Sequence, residues 1–297
     1  MSLLERVLAC RRHDLAGMLP FELGGERYGW VRAALAQDLA DVARSPFRLE
    51  GGTLRLDPAL ATSAARTQAV DGCLARLREA GRLPAWRGER YAVVRAWGAA
   101  EAMQVERAAA PWLGVRAFGV HVNGWVRGAR GPLLWVARRS RHKPSHPGKL
   151  DHLVAGGQPA GLSLRQNLVK EAMEEASVPA SLAEQAVGVA PFRYRLLTPD
   201  GLRDDTLFTY DLELPEGFQP QVRDGEVESF RLVPADEVLA MLRSSDEFKP
   251  NVVPCILGFL LRQGVVGERD PERSVLLREL GEQVLRPHVP EEDAVLA

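Results

Sequence analysis

The sequence predicts an α+β protein in two parts: a small mixed N-terminal domain over residues 1–108 and a larger unit over residues 109–297, in which helices interleave with a sheet. Three observations carry this expectation. At 297 residues the chain exceeds one typical domain. Alternating strand patterns dominate from Val115 onward. Between them lies an alanine-rich stretch, GAAEAMQVERAAAP, ending at Pro111, where the boundary is expected if it is not a helix within one continuous fold. Hydrophobic residues at 46% and charged residues at 26% suit a soluble chain able to bury a core. A formal net charge of -1 gives no long-range pull on nucleic acid or an anionic membrane, so neither is an expected partner and any anion must be held locally.

The elements follow in order. The opening MSLLERVLACRRHD has too short an apolar run and too early an acid for a secretory signal. RYGWVR reads as a strand, AALAQDLADVA as a helix, AARTQAVDGCLARLREAG as a helix closing on Gly81, and RYAVVRAW as a strand. In the second part, VRAFGVHVNGWV and PLLWVARR are strands around the turn GARGP, and Asn123-Gly124 within the first reads as a hairpin or bulge. VAPFRYRLLT and DTLFTYDLEL flank the turn PDG, then VESFRLVP gives a strand and ADEVLAMLRSS a helix. VVPCILGFLL contains Pro254 and falls well short of the ~20 residues a membrane span needs, so it reads as a buried helix. Cys10, Cys73 and Cys255 lack both metal-ligand spacing and a disulfide pattern, which predicts a reducing, cytoplasmic setting.

Ser163 and Gln166 have capping-box spacing and Pro179 is a stop, predicting a helix over residues 164–177. Val169, Ala172, Met173 and Ala176 would be its buried stripe. Glu171, Glu174 and Glu175 would then gather on the opposite face, towards solvent, where like-charge repulsion costs only ~0.2–0.5 kcal/mol per pair and needs no function to be tolerated. The preceding run AGGQPAG places glycines where a ligand can approach the main chain. Strand, glycine loop and acidic helix together would make a cup for Mg²⁺, which binds one or two carboxylates and completes its shell with substrate phosphates.

The segment GGQPAGLSLRQNLVKEAMEEASV resembles the Nudix box. Gly156 falls on its first glycine, Lys170 on its arginine, Glu171 on the glutamate after it, Glu174 and Glu175 on the paired glutamates, and Val178 on the closing aliphatic. Leu162 stands where the box has an early glutamate, Lys170 where it has arginine, and Ser177 where it has glycine. The resemblance implies a Nudix α/β/α sandwich with a mixed β-sheet, and metal ligation of Mg²⁺ or Mn²⁺ by Glu171, Glu174 and Glu175. LLWVARRSRHKPSHPGKLDHLVAGGQPAG, FTYDLELP, DGEVESFRLVP and FKPN are similar to the Nudix subfamily found fused to thiamine pyrophosphokinase in fungi, with LPFELGGERYGW resembling its bacterial N-terminal domain. That implies a damaged thiamine diphosphate, the oxo or oxy form, as substrate, cleaved to the monophosphate and phosphate. The N-terminal domain shows no chemical motif, and is expected to shape the substrate pocket or a homodimer contact.

Diphosphate hydrolysis needs charge neutralisation and an activated water. Glu226, or else Glu228, in RDGEVES is the expected base, with Glu174 the other catalytic acid residue. Arg139, Lys143 and Lys149 in ARRSRHKPSHPGK, with Gly156 and Gly157, are the expected diphosphate contacts. His142, His146 and His152 are too scattered for zinc and read as surface residues, and Trp112, Trp125 and Trp135 read as core. Three other functions remain open: a Nudix hydrolase of nucleoside diphosphate derivatives, a non-catalytic diphosphate sensor, and isopentenyl diphosphate isomerase. The last uses a cysteine soon after a similar basic loop, and residues 149–160 contain none.

Overall fold

Ser2 caps the first helix, α1 (Leu3–Ala9), through a capping box with Glu5. Its buried face, Leu3 and Val7, packs against C-terminal helices and not against the elements that follow it. In the computed structural model, which describes residues 1–83, 86–143, 145–223 and 225–288, a four-stranded sheet comes next. The hairpin β1 (Met18–Leu23) and β2 (Glu26–Arg32) leads into α2 (Ala33–Asp41), and a second hairpin follows, β3 (Phe47–Glu50) and β4 (Thr53–Leu56). Parallel pairing of β1 with β4 sets the order β2-β1-β4-β3. Thr62 caps α3 (Ser63–Glu79), whose Val70, Leu74 and Leu77 join Phe21, Leu39 and Leu54 in the first core.

A separate hairpin, β5 (Arg90–Val93) with β6 (Met103–Glu106), then carries the chain to a 3-10 turn and the short helix α4 (Ala110–Leu113). The alanine-rich stretch is therefore partly strand, because Met103 and Val105 alternate inward and both are buried.

The second unit is a seven-stranded sheet formed by β7 (Arg116–Gly128), β8 (Gly131–Arg139), β9 (Leu150–Asp151), β10 (Val154–Gly157), β11 (Val187–Thr198), β12 (Gly201–Glu213) and β13 (Val227–Pro234). The main order is β11-β12-β7-β8-β13, with β10 beside β7 and β9 beside β8. Among the described residues, only β12 and β7 pair in parallel within this sheet, so the sheet is mixed. Strand β7 is the organising element. One edge pairs with β12, and the other is shared end to end by β10 at Gly119–Val122 and β8 at Trp125–Gly128. Asn123-Gly124, expected as a turn or bulge, lies inside this unbroken strand. The glycine serves packing: a Cβ on Gly124 would sit 2.2 Å from the Leu153 side chain.

Helices cover both faces. On one, α5 (Leu164–Ala176) and the short α6 (Ala180–Ala183) set Leu164, Leu168, Ala172 and Ala183 against Val120, Val122, Val154 and Phe208. On the other, α7 (Ala235–Ser244), α8 (Val253–Arg262) and α9 (Arg273–Leu280), together with α1, close over Trp125, Leu134 and Val136. This is an α/β/α sandwich. As expected, α8 is buried nearly throughout and Trp112, Trp125 and Trp135 are core residues. No helix among the described residues is long and apolar enough to cross a membrane.

Candidate active site

The loop after β10 and the start of α5 fold as their sequence dictates. Ser163 Oγ accepts from the Gln166 N–H at 3.2 Å and Gln166 Oε1 accepts from the Ser163 N–H at 2.9 Å, so both halves of the capping box form. The helix ends on Ser177 in the left-handed region, φ 55°, which costs a non-glycine residue about 1–2 kcal/mol. That is the position where the resembled box has glycine.

The helix is rotated from its expected phase. Leu164, Leu168, Ala172 and Ala176 face the sheet, Met173 is exposed, and Glu175 turns inward with 8% exposure instead of facing solvent. Two leucines bury more apolar surface than the Val169–Met173 pair would, so they set the rotation.

Adjacent glycines in β10 admit the functional side chains. A Cβ on Gly156 would lie 2.3 Å from the Glu171 carboxyl carbon, so Glu171 can lie along the strand only because residue 156 has none. A Cβ on Gly157 would lie 1.7 Å from the Tyr91 hydroxyl oxygen. Glu171 and Glu174 converge on one cation already present, the Lys170 ammonium, at 3.0 and 2.7 Å. Glu175 accepts from the Ala155 N–H at 2.8 Å. Burial pushes its carboxyl up to about 8, and Glu171, Asp151 and Glu226 add to the rise. Burial raises Glu171 too, partly offset by Lys170.

A buried carboxylate with anionic neighbours, beside two others aimed at a single positive atom, fits an oxygen-preferring divalent cation. Glu171, Glu174 and Glu175 would hold it. Their oxygens do not close on one point here. Among the described residues, only His121, Asp151 and His152 bring ligand atoms within 4.8 Å of one another.

That second cluster is deeply buried. His152, expected at the surface, instead faces His121 with a 2.8 Å Nδ1–Nδ1 contact, and burial lowers both imidazoles, His152 to about 4. Asp151 already carries Arg139 at 2.9 Å and Lys249 at 3.3 Å, so a metal there would have to compete with two fixed cations. Burial opposes the charge of Asp151, but Lys249, His121 and Arg139 hold its carboxyl below the usual carboxylate range.

These pairings reassign two of the expected phosphate contacts. Arg139 has an 11% exposed side chain and binds Asp151 and the carbonyls of Ser145 and His146, which orders the basic loop. Lys149 is held by Asp246 at 3.0 Å. Lys143 instead pairs with Glu226, joining the expected base to the basic loop. Burial opposes ionisation of Glu226, but Lys143, with Arg107 and Arg139 beyond, keeps its carboxyl below the usual range. It is therefore an anion at neutral pH. Glu228 instead accepts from the Arg141 N–H at 2.8 Å.

The N-terminal residues reach into this space. Arg107 binds Glu89 at 2.8 Å and stands 5.8 Å from the centre of the Tyr91 ring. Its charge acts on both Glu171 and Glu226. Sequence reasoning missed Tyr91, Arg107, Asp151 and Lys249. The local signals were FKPN, which contains Lys249, and GKLDHLV, which contains Asp151; Arg107 lies in the alanine-rich stretch where the boundary was expected. The three cysteines are buried, and burial pushes Cys10 up to about 12 and Cys255 up to about 11, so neither thiol is a ready nucleophile.

Residues 117–254 match the NUDIX domain family, and residues 2–117 match a domain of unknown function, DUF4743. The chain is 38% identical to Nudix hydrolase 24, chloroplastic, of Arabidopsis thaliana, over 93% of this chain and 77% of that protein. It is 36% identical to Nudix hydrolase 20, chloroplastic, of the same plant, over 88% and 73% respectively. Among solved structures, DR0079 from Deinococcus radiodurans aligns with 57% of this chain and 98% of its own, at 22% identity and a TM-score of 0.44. The expected cytoplasmic setting does not stand, since both plant relatives are chloroplastic. Unpaired cysteines report reducing conditions and not which compartment supplies them.

Proposed function

From the premise that this chain belongs to the Nudix hydrolases, a family acting on diphosphates, we propose that it cleaves a modified thiamine diphosphate, in its oxo or oxy form, to the monophosphate and phosphate. The thiamine part of this reading rests on the likeness of the basic loop, the glycine loop and FKPN to the subfamily fused to thiamine pyrophosphokinase. The diphosphate part rests on one observation: Glu171 and Glu174 aim at a common cation beside Gly156, with Glu175 buried behind them.

Bound Mg²⁺ or Mn²⁺ would neutralise diphosphate charge and lower the pKa of water. Glu171, Glu174 and Glu175 would hold that ion, and the Lys170 ammonium now occupies the place between Glu171 and Glu174. Glu226, anionic and exposed, takes the proton of the attacking water. Lys143 and Arg107 meet the phosphoryl oxygens, and the bare backbone of Gly156 and Gly157 lets the diphosphate lie close. Arg139 and Lys149 act one step back, fixing the loop that presents Lys143. The chain divides functionally near residue 108, the first part supplying Tyr91 and Arg107 and the second the acids.

The test is phosphate release from oxo- and oxythiamine diphosphates, nucleoside diphosphate derivatives and prenyl diphosphates, with and without Mg²⁺ or Mn²⁺. Metal-dependent release that favours the thiamine compounds is expected. Preference for a nucleoside derivative would replace the substrate and keep the chemistry. Tight metal-independent binding without release would make the protein a sensor.

A further inference from the structure

Three neighbouring strands carry a row of charge across the sheet face that bears Phe118 and Phe208. Arg195 of β11 stands opposite Asp204 of β12, and Asp204 stands opposite Arg116 of β7. Residues paired in this way send their side chains to the same face, on strands roughly 5 Å apart. Arg193, two residues before Arg195 on β11, shares that face. One carboxylate serves the group. Asp204, 5% exposed, accepts from Arg193 Nε and Nη2 at 2.9 and 3.0 Å and from Arg195 Nε at 2.9 Å.

Arg116 has no such partner. Among the described residues its guanidinium makes no hydrogen bond and no ion pair. Burial lowers its pKa, and so do the charges of Arg193, Arg195 and Arg27, with Asp204 acting the other way. Arg27 comes from the N-terminal unit. It is exposed on β2, with its guanidinium 4.8 Å from the centre of the Trp30 ring, and it too lacks a carboxylate partner among the described residues. Strand β2 is laced to the β11–β12 hairpin, because Arg32 Nη2 donates to the Thr198 carbonyl at 2.7 Å. Four arginines and one aspartate leave an excess of three positive charges in one patch.

A sheet gains nothing from this crowding, since like charges side by side destabilise it. A multiply charged anion would turn the repulsion into attraction, and guanidinium forks match the oxygens of a phosphoryl group. The patch is separate from the acids of α5. Arg116 lies four residues along β7 from Val120, whose partner Gly156 has Glu171 against it, a distance of roughly 13 Å. One diphosphate group does not span both places.

We infer that Arg27, Arg116, Arg193 and Arg195 form a second anion site, which takes one phosphate group at the junction of the N-terminal unit and the sheet. Asp204 fixes Arg193 and Arg195, and their remaining N–H groups, with the fork of Arg116, meet the phosphate oxygens. Arg27 adds charge from β2. The group belongs either to free phosphate, which diphosphate cleavage would release, or to an organic monoester. None of the four arginines takes part in the proposed hydrolysis, so the site stands or falls apart from that reading.

The test is calorimetric titration of the full chain, without metal, with inorganic phosphate and with phenyl phosphate, against sodium chloride of matched ionic strength. All proteins carry Lys143→Gln, which removes a phosphate contact expected beside the acids. Saturable binding is expected in this background. Adding Arg116→Gln should weaken it about tenfold or more. Arg116→Lys, which keeps the charge and loses the fork, should restore only part of the affinity. Arg27→Gln, at an exposed position, should weaken binding about threefold and decides the matter if Arg116→Gln does not fold. Tighter binding of phenyl phosphate assigns the site to an organic monoester, and tighter binding of inorganic phosphate assigns it to the free ion. Equal affinities in the background protein and both glutamine variants, or heats that chloride reproduces, overturn the site.

Discussion

Glu175→Gln should make the protein more stable and nearly inactive. The carboxyl is buried and its pKa is raised from 4.5 to about 8. A carboxyl raised in this way stays protonated in the folded state at pH values where the unfolded chain has already released its proton. Its contribution to stability is therefore complete below about pH 4.5 and is lost progressively as pH rises to about 8. At pH 7 the loss spans about 2.5 pH units, or about 3 kcal/mol at 1.36 kcal/mol per unit. Glutamine keeps an oxygen for the Ala155 N–H and carries no titratable proton, so it escapes the loss. Denaturant unfolding without metal, at about pH 5, 7 and 8, should show the variant gaining on wild type as pH rises. Saturating Mg²⁺ should stabilise wild type, by about 2.7 kcal/mol at one hundred times the dissociation constant, and the variant much less. Equal stability at pH 7, or a difference that ignores pH, would refute the placement of an uncompensated carboxyl beneath the glycine strand.

Other outcomes follow from the same geometry. Glu174→Gln should cut kcat by two or more orders of magnitude with an unchanged circular dichroism spectrum, since this side chain is 52% exposed. Gly157→Ala forces a methyl group onto the Tyr91 hydroxyl and should destabilise the fold by about 1–3 kcal/mol in thermal unfolding, with partial relief from Tyr91→Phe. Asp151→Asn leaves Arg139 and buried Lys249 without their anion, and should cost about 3–5 kcal/mol by denaturant unfolding.

Local chemistry made much of the site legible in the sequence. The Ser163–Gln166 cap, the stop near Pro179 and the glycines before the helix are short-range signals, and each lies where the sequence placed it, whereas Glu175 of the acidic trio turns inward and not to solvent. The rotation of α5 was misread because Val169 and Met173 match helical spacing as well as Leu164 and Leu168 do, and only the sheet decides which pair it covers. Asn123-Gly124 was misread because a glycine needed for the Leu153 contact has the same letters as a turn. Arg139 and Lys149 looked free because their anions, Asp151 and Asp246, come from other segments. Tyr91 and Arg107 carry no motif, and the folded chain alone brings them to the glycine loop.

The seating of α1 has a consequence for assembly. Its Leu3 N–H bonds the carboxylate of Glu272, 269 residues away, and its apolar face lies in the core with α8 and α9. Seven residues are too few to stay helical alone in water. During synthesis this segment must therefore wait, uncoiled and with Leu3 and Val7 uncovered, until α8 and α9 have been made. The wait is cheap in closure entropy, which grows only with the logarithm of loop length. Its cost is exposure time, because the surfaces that cover Leu3 and Val7 belong to helices made more than two hundred residues later, as the numbers of α8 and α9 show.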